Sequence, residues 1–353
     1  MFLRSLILAS ALTLGAQAQP FESTSHAPSH IQGDNFYVSP KVHVQEVRFK
    51  NQYGLEVAAK LFIPKAIQKG KRYPALIVGH PMGAVKEQTS QLYATKLAEK
   101  GFVTLSFDLS FWGQSAGTPR HAVLPDMYVE DFSAAVDYLG TRKFIDREKI
   151  GVVGVCASGG FALAAAKIDP RIKAITTVSM YDMGDAIRHG VRHSVSKAER
   201  EAFLKEAASE RYREFSTHKI TRYTVGTPTK IDKNSSPIAK EFYDFYRTKR
   251  GAYTPQGEDP KLDTSPQFSS DVKFINFYPF EDLDSISPRP ILFITGDEAH
   301  SREFSQKAYA KAAQPKELYY EELGMWIYTT ALSSLKITQF FKKSPCKGLI
   351  CLS

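Results

Sequence analysis

Cysteine is scarce here, three residues in 353, so no disulfide framework holds the chain together. Beyond the N-terminus no apolar run approaches the ~18 residues that a bilayer-crossing helix needs. No block of like charge exists either. The 46 Lys plus Arg are interspersed with 37 Asp plus Glu, and the net charge of +9 reads as a solvated basic surface rather than a nucleic-acid footprint. Internal repeats, phosphate-binding glycine loops, dinucleotide fingerprints and nucleic-acid modules are all missing. His189 and His193 stand i,i+4, but the sequence places no third ligand beside them, so neither a metal nor an organic cofactor is expected. What remains is ordinary globular composition, 43% apolar, 12% aromatic and 24% charged, enough for one large domain or two of average size.

The chain starts with a short basic stretch, Met1-Phe-Leu-Arg4, followed by an apolar run from Leu6 to Leu14 and the small-residue pair of Ala16-Gln-Ala18. This is the pattern of a secretory signal peptide over residues 1–18, cleaved after Ala18. The expectation is an exported, periplasmic protein without a permanent membrane anchor. Residues 19–35 are polar with Pro and His and read as a flexible lead-in, and 344–353 as an atypical tail. Cys346 and Cys351 lie in that tail and are assigned no function.

From His43 the pattern becomes regular. His43–Phe49 and Leu55–Ile63 flank Asn51-Gln-Tyr-Gly54 as a hairpin. Pro74–Gly79, Phe102–Phe107, Lys149–Val155, Ile172–Val178 and Pro290–Thr295 read as strands, with a last one near Glu317–Glu321. Helices are expected over Lys86–Lys100, Pro125–Leu139, Gly159–Lys167 and Ser301–Ala313. Continuous apolar strands alternating with helices predict an α/β fold, a mostly parallel sheet covered on both faces, over residues 36–343. The rhythm breaks between about 180 and 287, where Ser196–Arg213 and Ser236–Thr248 read as helices of an inserted cap over the strands' C-terminal edge.

Gly154-Val-Cys156-Ala-Ser158-Gly159-Gly160 follows a strand and opens a helix, the setting of a nucleophile elbow. Both Cys156 and Ser158 have the small neighbours that the turn requires. The register after Lys149-Ile-Gly-Val-Val-Gly154 favours Cys156, and a helix N-terminus is expected to lower its thiol pKa. The competing reading is a Gly-rich turn without chemistry.

Together with the elbow, Val78-Gly-His80-Pro-Met-Gly83, Phe107-Asp108, Trp112-Gly-Gln-Ser115, Tyr181-Asp-Met183 and Ser287-Pro-Arg-Pro-Ile291 through Gly296-Asp-Glu-Ala-His-Ser301 resemble an α/β-hydrolase of the dienelactone-hydrolase-like group, whose bacterial members are related to polyketide acyltransferase-type hydrolases. The resemblance spans His43 to Pro315. It implies an enzyme that cleaves ester, thioester or lactone bonds, or transfers an acyl group, on a small-molecule acyl substrate. It also implies an oxyanion hole from the amides of Met82 or Gly83 and of Ala157, the residue after the nucleophile. His80, Asp108 and Ser115 are expected to brace loops. Asp297, at the end of its strand, is the candidate acid, with Glu298 second.

The group's base is a histidine in a segment resembling Gly-His-Val-Asp-Leu-Tyr-Asp before the last helix. This chain has nine histidines and none after His300. At the expected place stands Gly324-Met-Trp-Ile-Tyr-Thr-Thr330. Written in ordinary codons (ggg cat gtg gat tta tac gac c), the family segment becomes this one on loss of a single base. His300 is the remaining candidate base. The rival to an enzyme is a hydrolase-fold protein that binds its acyl ligand without turning it over.

Overall fold

The computed structural model describes residues 35–321 and 330–343. The proposed signal peptide and its cleavage site, nearly all of the lead-in, the Gly324 to Thr329 stretch and the tail with Cys346 and Cys351 lie outside the described residues.

The apolar runs Tyr73–Gly79 (β3), Val103–Phe107 (β4), Ile145–Val155 (β5), Ala174–Val178 (β6) and Ile291–Gly296 (β7) form the centre of one sheet. Their side chains, in β5 those from Ile150 on, are buried on both faces, the condition under which strands lose the polar alternation. Val42–Lys50 (β1) and Glu56–Pro64 (β2) make the expected hairpin, and Lys316–Glu321 (β8) closes the other edge. The eight strands run β1-β2-β4-β3-β5-β6-β7-β8; β1–β2 and β2–β4 are antiparallel, and every other pair is parallel. Two cores result. One holds Phe132, Val152, Phe161 and Phe293, and the other Leu76, Tyr93, Phe102 and Phe341, one on each face of the sheet.

Helices Thr89–Glu99 (α1), Pro125–Gly140 (α2) and Ser158–Ile168 (α3) follow β3, β4 and β5. The first starts three residues later than its sequence pattern predicts. The Lys86 amide is taken by Asp108 Oδ1 at 2.7 Å and the Val85 amide by Gln88 Oε1 at 3.1 Å, which holds this stretch as a loop. β5 in turn starts earlier than Lys149, because Tyr73 pairs with Ile145 across a register shift. The stretch between β6 and β7 carries Met183–His189 (α4), Lys197–Thr217 (α5), Pro237–Tyr246 (α6) and the short Phe268–Asp271 (α7). Ser196 caps α5 in a reciprocal box with Glu199, and Ser236 caps α6 through the Ala239 amide. Arg302–Lys311 (α8) and Thr330–Lys343 (α9) are the last helices among the described residues.

Candidate active site

The turn between β5 and α3 brings Cys156 to the C-terminal edge of the sheet. Its φ of +56° lies in the left-handed region, where a residue with a side chain stays only if its surroundings hold it there. They do. The Cys156 amide donates to Val178 O at 3.0 Å, and its carbonyl accepts from Gly159 at 2.9 Å and Tyr181 at 3.0 Å. Gly154 is obligatory, since a Cβ there would stand 2.3 Å from Ser158 O.

Cys156 lines a cavity of about 140 Å³. Pro81 and Met82 form the neighbouring wall, Tyr181, Met183 and Ile187 a second, and Ile238, Phe242 and Tyr246, spaced four apart on α6, a third. Segments 225–227 and 264–266 and Asp271 close it. The lining is predominantly apolar, suited to an acyl chain. The backbone amides of Met82 and Ala157 lie near enough to the Cys156 thiol to favour its ionised form. Gly83 is also pinned: its φ is +76°, and a Cβ would stand 2.7 Å from Thr264 Cα, so the loop carrying Met82 lies tight against the segment above it.

One expectation is corrected here. The helix N-terminus was expected to lower the Cys156 thiol pKa. Burial instead pushes it up to about 12, against the lowering effect of the two amides.

Ser158 lies two residues on, and its position differs. It is fully buried, its hydroxyl donates to His80 O at 2.5 Å, and it does not line the cavity. The buried His80 ring accepts the Leu109 amide at Nε2 (3.1 Å), so its proton sits on Nδ1, facing Pro81 O at 2.7 Å. Burial lowers its pKa, and with both nitrogens engaged the neutral ring shapes the 80–83 loop. Asp108 accepts the Lys86 ammonium and the amides of Lys86 and Gln114, while Ser115 ties the Asp108 carbonyl to the Ala58 amide. Both brace the loops beneath the site.

Asp297 sits at the end of β7, half-buried, its amide on Glu321 O and its carboxylate accepting the Glu298 amide at 3.0 Å. Glu298 is exposed. Neither lines the cavity with Cys156. His300 is 4% exposed, packed between the rings of Tyr181 (5.7 Å) and Phe242 (5.9 Å), which do line it. Its Nδ1 lies 3.5 Å from Glu241 Oε2, yet among the described residues neither ring nitrogen and neither Glu241 oxygen has a hydrogen-bond partner.

The His189–His193 pair does not share a helix face. α4 ends at His189, Gly190 turns the chain at φ +80°, and His193 lies on a separate turn, though the rings remain 5.6 Å apart. His189 is bound to Asp185 at 2.7 Å, and no group of three metal-ligating side chains occurs among the described residues. No helix among them is long and apolar enough to cross a membrane.

Sequence reasoning missed Glu241 and Asp271, since neither belongs to a motif. Each lies in the stretch between β6 and β7, where only the tertiary fold brings it to the site.

Residues 57–202, which include the 80–83 loop and the elbow, match the dienelactone hydrolase family. Protein PA2218 of Pseudomonas aeruginosa is 39% identical over 336 residues, 90% of this chain and 86% of that protein. The chain belongs to the dienelactone hydrolase family. The crystal structure of PA2218 superposes with a TM-score of 0.81, covering 93% of this chain and 99% of that one. A second family relative is the acyltransferase drtE of Aspergillus calidoustus, 28% identical over 80% of this chain and 87% of that protein. The thiohydrolase aneE of Aspergillus aculeatus is 36% identical, but over 38% of this chain and 40% of its own length.

Proposed function

We propose that the protein is an acyl-processing enzyme in which Cys156 attacks the carbonyl carbon of an ester, thioester or lactone. The position of Cys156, held at positive φ on the elbow and lining the cavity beside Met82 of the 80–83 loop, carries this reading. As the S–C bond forms, the carbonyl electron pair moves onto oxygen, and in this reading the amides of Met82 and Ala157 hold the resulting oxyanion. One such donor is typically worth about 2.7–4 kcal/mol to the transition state. Collapse expels the alkoxide or thiolate, which takes up a proton, and leaves an acyl-Cys156 thioester. Water or a second alcohol or thiol then releases the acyl group, giving hydrolysis or transfer. A family relationship to proteins named acyltransferase and thiohydrolase supports the same chemistry.

The thiol needs a base. With a pKa near 12, on the order of 10⁻⁵ of it is thiolate at pH 7. His80 has no nitrogen to spare, and no histidine follows His300. That absence favours a second reading, a hydrolase-fold protein that holds an acyl ligand and turns it over scarcely or not at all.

Hydrolysis of p-nitrophenyl acetate separates the two. The chain is expected to show slow turnover, lost in Cys156→Ala and rising about tenfold per pH unit from 7 to 9. A version in which Gly324–Thr330 is replaced by Gly-His-Val-Asp-Leu-Tyr-Asp is expected to be at least about 10³-fold faster at pH 7. Turnover that persists in Cys156→Ala removes the nucleophile assignment. If the restored version alone turns over, the second reading holds for the chain as it stands.

A further inference from the structure

Among the described residues lining the Cys156 cavity, Asp271 carries the sole carboxyl. It is 2% exposed, at the end of α7. Its Oδ2 accepts the Thr224 hydroxyl at 2.9 Å, the one side-chain hydrogen bond made to this carboxyl among the described residues. Asp131, a similarly buried carboxyl, differs in this respect. Its Oδ1 accepts from Asn51 at 3.0 Å and the Ser110 hydroxyl at 2.8 Å, and its Oδ2 from the Ser110 amide at 2.7 Å. Asp271 Oδ1 is not among the fully buried polar atoms left without a partner, so it stays open to the cavity, where a donor can reach it. In the proposed reading the acyl group would lie in this cavity.

We propose that the acyl group accepted at Cys156 carries a hydrogen-bond donor, a hydroxyl or an amine, that Asp271 binds. This rests on the reading of Cys156 as the acylated residue and adds to it the class of acyl chain. A cavity near 140 Å³ is comparable to one that encloses a benzene-sized molecule, so the chain is short, about six carbons. The remainder of the wall selects for its methylene groups. Val225, Ile238 and Phe242 offer a hydrocarbon chain apolar contact without competing for the donor. Burial pushes the Asp271 carboxyl up to about 7, and a bound donor, an ammonium above all, would bring it back down.

The test uses alkylation of Cys156 at pH 9, where solvent hydroxide supplies about a hundredfold more thiolate than at pH 7, the Asp271 carboxyl is ionised, and no turnover is needed. Chloromethyl ketones with six-carbon chains ending in methyl, hydroxyl or amine react with the full chain, the thiol displacing chloride. Peptide mass spectrometry follows labelling at Cys156, separately from Cys346 and Cys351. The hydroxyl or the amine probe, or both, are expected to react about tenfold faster than the methyl probe, the worth of one hydrogen bond to a charged group. In Asp271→Leu that ratio is expected to fall to one. Asp271→Asn, which keeps an accepting oxygen, is expected to retain the hydroxyl preference and lose the amine preference. Equal rates for all three probes on the unaltered chain overturn the proposal while leaving Cys156 as nucleophile, and so does a preference that survives Asp271→Leu. If no probe labels Cys156, the acyl reading itself fails and this inference falls with it.

Discussion

Cys156 is held in a conformation that its own side chain disfavours, and the glycines around it make that possible. Gly154 is the clearest case because the obstacle is backbone: Ser158 O, Ser158 C and the Gly159 amide all stand within 2.6 Å of where a Cβ would be. No rotamer change relieves such a contact, so either β5 or the first turn of α3 must move. Gly154→Ala is expected to cost about 3 kcal/mol, the upper end of what overpacking takes in a fitted interior. A urea midpoint within 0.2 M of the unaltered protein would refute this. The same residue scale explains why Cys156 and Ser158 part company. One faces the cavity, the other is spent on His80 O beneath the loop.

At the scale of elements, α6 is the piece that joins the cavity to the loop after β7. Ile238, Phe242 and Tyr246 give it one apolar face, and Glu241, a position away, turns toward His300. Removing either member leaves the other buried without its neighbour, whereas removing both leaves an apolar contact. Glu241→Leu and His300→Leu are each expected to destabilise, and the double variant by about 1–2 kcal/mol less than their sum. Simple additivity in chemical denaturation would show that the two side chains do not sense each other. The strands and helices of the sheet were legible because they are apolar runs and 3.6-residue patterns, and the elbow because its glycines punctuate them. The loop over 86–88 was not, since the partner that stops the helix is Asp108, on another strand's end. Glu241 and Asp271 were illegible for the same reason: an isolated carboxylate acquires meaning from what folds over it. The Cys156 pKa was misjudged in direction because the sequence displays the helix start and hides the burial.

For the molecule as a whole, buried carboxyls set how stability responds to pH. Burial raises Asp131 and Asp271 to about 7 and Asp182 and Asp263 to about 6, each from 3.8. The unfolded chain ionises these groups near pH 4, while the native chain holds its protons to 6 or 7. Between those limits the native state binds more protons, so this contribution to stability falls as pH rises. His80 acts oppositely. Burial depresses its pKa, so the unfolded state takes up the proton first, and stability gained from this group rises with pH until the ordinary histidine range is passed. A raw melting curve mixes the two, but a difference between variants separates them. Asp271→Asn removes one raised carboxyl and leaves His80 as it is, and its amide oxygen still accepts from Thr224. Relative to the unaltered protein, this variant is expected to gain stability steadily from pH 5 to pH 8, at up to about 1.4 kcal/mol per unit below pH 7, and then to level off. Melting temperatures measured at half-unit steps check it. A constant difference across that range would mean that the Asp271 carboxyl is already ionised in the folded protein at pH 5.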